Sequence, residues 1–164
     1  MVSRLQRYDL QQRQTRGATS AAPRVIARLI GIAVPLNQNC FIALPDGDHS
    51  ERFLSGCFAE SIARGNVRLK IDHETPVDGR LDLFQEPNDL RFRFHVFDTT
   101  LGRQTLERVA LGASRGCSIG FRHVRGGEYY RDGVHHITTA HLTEISICFR
   151  QAPLWYGTPS LVGR

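Results

Sequence analysis

Leu90, Phe92, Phe94 and Val96 alternate with Arg91, Arg93 and His95. A period of two places the first set on one face of a strand and the second on the other, so this segment predicts a strand with one face in the core. Gly79 to Phe84 predicts its partner, and Glu86-Pro87-Asn88-Asp89 the hairpin turn between them. Val67 to Asp72 also alternates, a half-buried strand that delivers His73 at its end. Arg24 to Leu36 is a β-branched apolar run containing Gly31, which predicts a buried first strand bent or bulged at the glycine. The loop after it turns at Pro45-Asp46-Gly47-Asp48.

Helical spacing is found in two places. Between Glu51 and Gly65, Phe58, Ile62 and Ala63 fall on one face, and Gly65 is placed to end the helix. Asp98-Thr99-Thr100 can cap a second helix from about Gly102 to Leu111, with Leu106, Val109 and Ala110 as its apolar stripe. Three further strands are expected at about Cys117 to Val124, Tyr129 to Thr138 and His141 to Phe149, with a turn at Gly126-Gly127. Residues 1–22 are polar and aperiodic, a mobile basic tail by composition. Residues 23–157 form the expected domain and 158–164 a C-terminal tail. Strands first and last, with two helices and no regular βαβ alternation, predict an α+β fold: a mostly antiparallel sheet or barrel with helices packed on it.

Composition narrows the classes. A chain of 164 residues with 41% hydrophobic content suits one globular domain. No apolar run approaches the ~20 residues of a membrane helix, and the N-terminus is not signal-like, so the expectation is action where the chain is made, without a membrane. The net charge of +5 is almost all arginine, Lys70 being the one lysine. No nucleic-acid motif accompanies that charge, so nucleic acid is not the expected target. Cys40, Cys57, Cys117 and Cys148 lack CxxC spacing and read as buried reduced thiols. His135-His136 would point to opposite faces of a strand, and no functional metal is expected from that pair.

The chemistry concentrates around Ser118. On a strand, Cys117, Ile119 and Phe121 share a core face, while Gly116, Ser118 and Gly120 share the other. Two flanking glycines leave the serine with no bulky same-strand neighbour, the clearance a nucleophile needs. The competing reading is a small-residue strand packed beneath a neighbouring segment. His73, at a strand end, is either an exposed loop residue or the general base that a serine requires. The group orienting that imidazole is then His141 or Glu144. Uninterrupted alternation puts His141, Thr143, Ile145, Ile147 and Phe149 on one apolar face. Glu144 then falls on the other face, the kind that carries Ser118.

These segments, in this order, resemble the prohead maturation protease family of tailed bacteriophages. The resemblance starts at Ile30-Gly31-Ile32-Ala33 and Gly56-Cys57-Phe58. It continues in the aliphatic strand ending at Asp72-His73-Glu74, similar to the family's Asn/Asp-His-Asp/Glu, where Asn is more frequent than the Asp found here. Asp98 to Gly112 is similar to the family's linker helix. Ser118-Ile119-Gly120-Phe121 is similar to its Ser-x-Gly-Phe segment, and Leu142 to Ile147 to its Leu-x-Glu-aliphatic-Ser-aliphatic strand. The resemblance spans roughly residues 25–155 and implies a fold like herpesvirus assemblin, a β-barrel ringed by helices. It implies His73 as base, Ser118 as nucleophile and Glu144 as third member, with no cofactor. The implied activity is a serine endopeptidase cleaving scaffold and major capsid protein precursors inside the assembling prohead, in the host cytoplasm or in a bacterium carrying the prophage. A homo-oligomer is compatible with it. The alternative is an inactive capsid-assembly or scaffold-binding module of the same fold. Arg150, Arg122 and Arg115 are available to an oxyanion.

Overall fold

A computed structural model describes residues 23–44, 47–150 and 162–163. Along the chain run β1 (Val25–Pro35), β2 (Cys40–Leu44), β3 (Gly47–Phe53), α1 (Ala59–Arg64), β4 (Arg68–Ile71), β5 (Thr75–Pro76), β6 (Gly79–Gln85) and β7 (Asp89–Phe97). Then follow α2 (Thr100–Ala110), β8 (Gly116–His123), β9 (Glu128–Arg131), β10 (Val134–Ile137), β11 (Ala140–Cys148) and β12 (Val162–Gly163). The expected tail 1–22 lies outside the described residues, as does most of 158–164, of which Val162–Gly163 pairs with β1.

Alternation decides the strongest strand. In β7, Leu90, Phe92, Phe94 and Val96 are all but fully buried, whereas Arg91 and Arg93 are exposed. Each buried phenylalanine of this kind contributes about 1.5–3 kcal/mol of apolar transfer energy. β7 pairs with β6 through the expected turn, and antiparallel with β1. The bulges of β1 fall between Val25 and Ala27 and between Ile32 and Val34, while Gly31 pairs regularly with Phe92. The expected bulge at the glycine is thus displaced to either side of it.

The strands form three four-stranded sheets, ordered β12-β1-β7-β6, β2-β3-β10-β9 and β5-β4-β11-β8. Most pairings are antiparallel, but β3 with β10 and β4 with β11 are parallel. No ladder joins one sheet to the next among the described residues, so the sheets are open and the expected barrel is not closed. The α+β class stands. A shared core, including Leu29, Phe53, Phe58, Leu69, Phe92 and Ile147, lies between the sheets.

Two segments depart from expectation. Glu51 to Phe53 belongs to β3 rather than to a helix, because all three residues pair with β10 and Glu51 pairs with β2 as well. Its Phe53 is fully buried and meets Phe58 and Phe121 with ring centroids at 5.5 and 5.2 Å. Only Ala59–Arg64 remains helical, ending at Gly65 as expected. Tyr129 to Thr138 is a hairpin, not one strand. Asp132 and Gly133 both adopt positive φ (52° and 74°), the requirement of a two-residue turn whose twist matches the strands. The second helix begins as expected: Thr99 Oγ1 accepts from the N–H of Gly102 at 3.0 Å.

All four cysteines are free and buried. Burial pushes the Cys57 and Cys117 thiols up to about 12. Among the described residues, no helix is long and apolar enough to cross a membrane.

Candidate active site

The sheet β5-β4-β11-β8 brings the sequence-predicted residues onto one face. Ser146 in β11 lies opposite Lys70 of β4 on one side and Ser118 of β8 on the other. Directly opposed residues of a sheet project to the same face. Lys70, Ser146, Glu144 and Ser118 therefore share it.

His73 is delivered by a strained turn. After β4 ends at Ile71, Asp72 and His73 both take left-handed φ, 48° and 64°. Such conformations cost non-glycine residues free energy and persist only where surrounding contacts impose them. Those contacts are present. The Asp72 carboxylate is buried and accepts from the N–H groups of Phe149 (2.7 Å) and Arg150 (3.0 Å) and from Arg150 Nε (3.1 Å). The Asp72 N–H donates to Ile147 O at 3.0 Å, and the His73 N–H donates to Ser146 Oγ at 3.2 Å. Burial by itself would raise the Asp72 carboxyl, but the bonds from Arg150 and Phe149 outweigh it and hold the group below its ordinary range. The turn is stapled to β11.

Glu144 is the hub. Its Oε1 accepts from His73 Nδ1 at 2.7 Å and from Ser146 Oγ at 3.1 Å, while Oε2 pairs with Lys70 Nζ. Lys70 Nζ also donates to the carbonyl of His73 at 3.3 Å. Burial opposes ionisation of Glu144, yet the Lys70 and His73 bonds, the Lys70 charge and the Ser146 hydroxyl outweigh it and lower its carboxyl. An ionised Glu144 can only accept, so His73 Nδ1 carries a proton, and in the neutral ring it is Nε2 that bears the lone pair. The His73 side chain is 37% exposed, open enough to meet a substrate.

Ser118 differs from its expectation. It is fully buried, not set on an open face, and its Oγ has no hydrogen-bond partner among the described residues. No bond joins it to His73. The flanking Gly120 serves Glu144 instead of the substrate: a Cβ there would lie 2.6 Å from Glu144 Cγ and 3.0 Å from its Cδ. The carboxylate stem fills the space that the glycine leaves.

The alternation expected of β11 is broken by a bulge. Leu142 pairs with Phe121 and Glu144 with Gly120, leaving Thr143 as an extra residue. Leu142 is therefore buried in the core, and His141 is half-exposed, its Nδ1 3.7 Å from Glu60 Oε2. His141 does not reach His73, whereas Glu144 does. Of the three arginines, Arg150 sits beside His73, tied to Asp72 and to Glu74 Oε2 (2.6 Å). Arg122 pairs with His141 at the far end of β8, and the Arg115 N–H donates to Cys148 O at 2.7 Å.

Sequence reasoning missed Lys70, Ser146 and Asp72 as parts of the site. Ser146 carries a signal, standing two residues after Glu144 and so on the same strand face. Asp72 was legible only as a neighbour of His73.

Residues 42–158 match the family model described as caudovirus prohead serine protease. No curated protein and no solved structure matches the chain.

Proposed function

The chain belongs to the caudovirus prohead serine protease family, and from that premise we propose that Ser118, His73 and Glu144 act together as the nucleophile, base and orienting acid of a peptidase. The observation that carries this reading is the saturated Glu144 carboxylate on His73 Nδ1, on the same sheet face as a buried serine hydroxyl that lacks a partner among the described residues. An unpaired buried hydroxyl costs roughly 1–3 kcal/mol, so its retention calls for a role.

In the proposed reaction Ser118 Oγ attacks the scissile carbonyl while its proton passes to His73 Nε2. Glu144 holds the imidazole by Nδ1 and stabilises the cation that forms. His73 then gives the proton to the leaving amine, which leaves an acyl-serine. A water attacks that ester with the same histidine as base and restores the hydroxyl. Two changes must precede attack. The Ser118 hydroxyl has to be uncovered, and it has to turn towards His73, as catalytic bonds commonly tighten only when substrate is bound. Arg150, beside His73, is the arginine best placed to meet an oxyanion.

Family membership makes capsid-related proteins the substrate class, acted on within the prohead. Within it, the scaffold and major capsid protein precursors are the proposed substrates. Incubation with a fluorophosphonate probe, followed by peptide mass spectrometry, tests the reading. The expected adduct is on Ser118 and is lost in His73→Ala. Absence of any adduct from protein that also leaves capsid precursor intact would favour the inactive assembly module.

A further inference from the structure

At the end of the sheet opposite the His73 turn, three side chains from three strands converge. His123 closes β8, Glu128 opens β9 and His135 lies within β10. His123 Nδ1 and His135 Nε2 both approach the same Glu128 oxygen, Oε2, the latter at 2.9 Å. The other nitrogen of His135, Nδ1, lies 3.3 Å from Glu51 Oε1 on β3. We propose that His123, Glu128 and His135 form a binding site for a divalent transition-metal ion of the zinc type, with Glu51 as the carboxylate that orients His135.

Proton bookkeeping supports this. A neutral imidazole has one N–H and one lone pair, and a carboxylate oxygen only accepts. His135 faces a carboxylate on each side, and a neutral ring that gives its one proton to Glu51 turns the Nε2 lone pair towards Glu128. His123 adds a second nitrogen to that point. A cation at the convergence would take the lone pairs of His135 Nε2 and His123 Nδ1 together with Glu128 Oε2. The three donor atoms already lie within 4.8 Å of one another. A ligating histidine whose other N–H is held by a carboxylate is the usual arrangement at such sites, and here Glu51 supplies it. Two imidazoles and one carboxylate suit zinc, cobalt or nickel rather than calcium or magnesium.

Geometry adds two details. Tyr130 stacks on His135 with centroids 4.4 Å apart and 5° between planes, which fixes the plane of that ring. His123 stacks on the same ring at 5.6 Å and 18°. Metal–nitrogen bonds of about 2.0–2.1 Å require His123 to tilt out of this stack, which its half-exposed position permits. His136, on the opposite face, stacks on Tyr129 and takes no part. The ion would clip β8, in the sheet that holds Ser118, to the β9–β10 hairpin of another sheet. A fourth position would remain open to water.

The test uses the full chain, stripped with chelator and titrated with cobalt and then zinc, followed by visible absorption and calorimetry. One ion per chain with tetrahedral-type cobalt bands is expected, displaced by zinc. Affinity should fall at least about 100-fold in His123→Ala and in His135→Gln. In Glu51→Gln it should fall about 10–100-fold with stoichiometry unchanged. His73→Ala should bind as the unaltered chain does, which separates this site from the proposed catalytic group. His123 is half-exposed, so its replacement leaves the fold testable by circular dichroism. Failure to bind at micromolar metal, or binding that survives His123→Ala and is lost in His73→Ala, would overturn the proposal.

Discussion

His73 and Glu144 stand 71 residues apart in sequence and share a 2.7 Å hydrogen bond from Nδ1 to Oε1. The parallel pairing of β4 with β11 makes this meeting, since it sets the turn after Ile71 against Ser146 and Ile147. The same pairing brings Lys70 to the other carboxylate oxygen. One strand pairing therefore fixes position, tautomer and charge together.

Replacing Glu144 by Gln keeps the shape and removes the charge that stabilises an imidazolium. Cleavage of a capsid precursor should slow by roughly 10³–10⁴-fold. His141→Gln should change the rate little, because His141 faces Glu60 and not His73. Steady-state rates for the two variants check this, and equal losses would remove the distinction between them.

The two opposed serines should respond in opposite senses. Ser118→Ala abolishes the proposed nucleophile and deletes an unpaired buried hydroxyl, so the variant should be inactive and as stable as the parent or up to about 1 kcal/mol more stable. Ser146→Ala breaks bonds to His73 N–H and to Glu144, and should lose about 1–2 kcal/mol. Urea titration of both variants reads the difference directly.

Gly120→Ala places a methyl 2.6 Å from Glu144 Cγ and must displace the carboxylate. Activity should drop about as far as in Glu144→Gln, with a smaller loss of stability, roughly 1–3 kcal/mol. A fully active alanine variant would show that the carboxylate stem does not need this space.

Acid should loosen the His73 turn. In the folded chain the Asp72 and Glu144 carboxyls both lie below their ordinary values, so the unfolded chain takes up protons first as pH falls. Their stabilisation is complete above the unfolded values of about 3.9 and 4.3 and is lost as pH falls through the lowered folded ones. Asp72→Asn should destabilise the protein by roughly 1–3 kcal/mol at neutral pH and flatten the acid limb of a Tm-against-pH curve. An unchanged acid limb would assign it to other groups.

The strands whose alternation reports one buried face were legible: β7 and β4 follow their patterns, whereas the first half of β8 is buried on both faces. Glu51 to Phe53 was not, because the helical spacing of Phe58, Ile62 and Ala63 adjoins it while its pairing with β10 is made about 80 residues away. Glu144 was legible by type, a carboxylate able to orient a candidate base. The parity that selected it over His141 does not hold, since the extra residue Thr143 shifts the faces upstream of it. A bulge leaves no mark on an alternation that is read without the partner strand. Lys70 was visible only as the one lysine, and its role depends on that same partner.

The parallel pairing of β4 with β11 also orders events in time. At synthesis rates of about 5–20 residues per second, the 71 residues between His73 and Glu144 take roughly 4–14 s to follow. Throughout that interval β4 has only the two-residue β5 beside it, and His73 has no carboxylate. Long-range parallel pairing is also slow to form once its strands exist. A nascent chain on the ribosome thus passes through a stage in which serine and histidine are both made but not yet assembled, a delay written into the strand order itself.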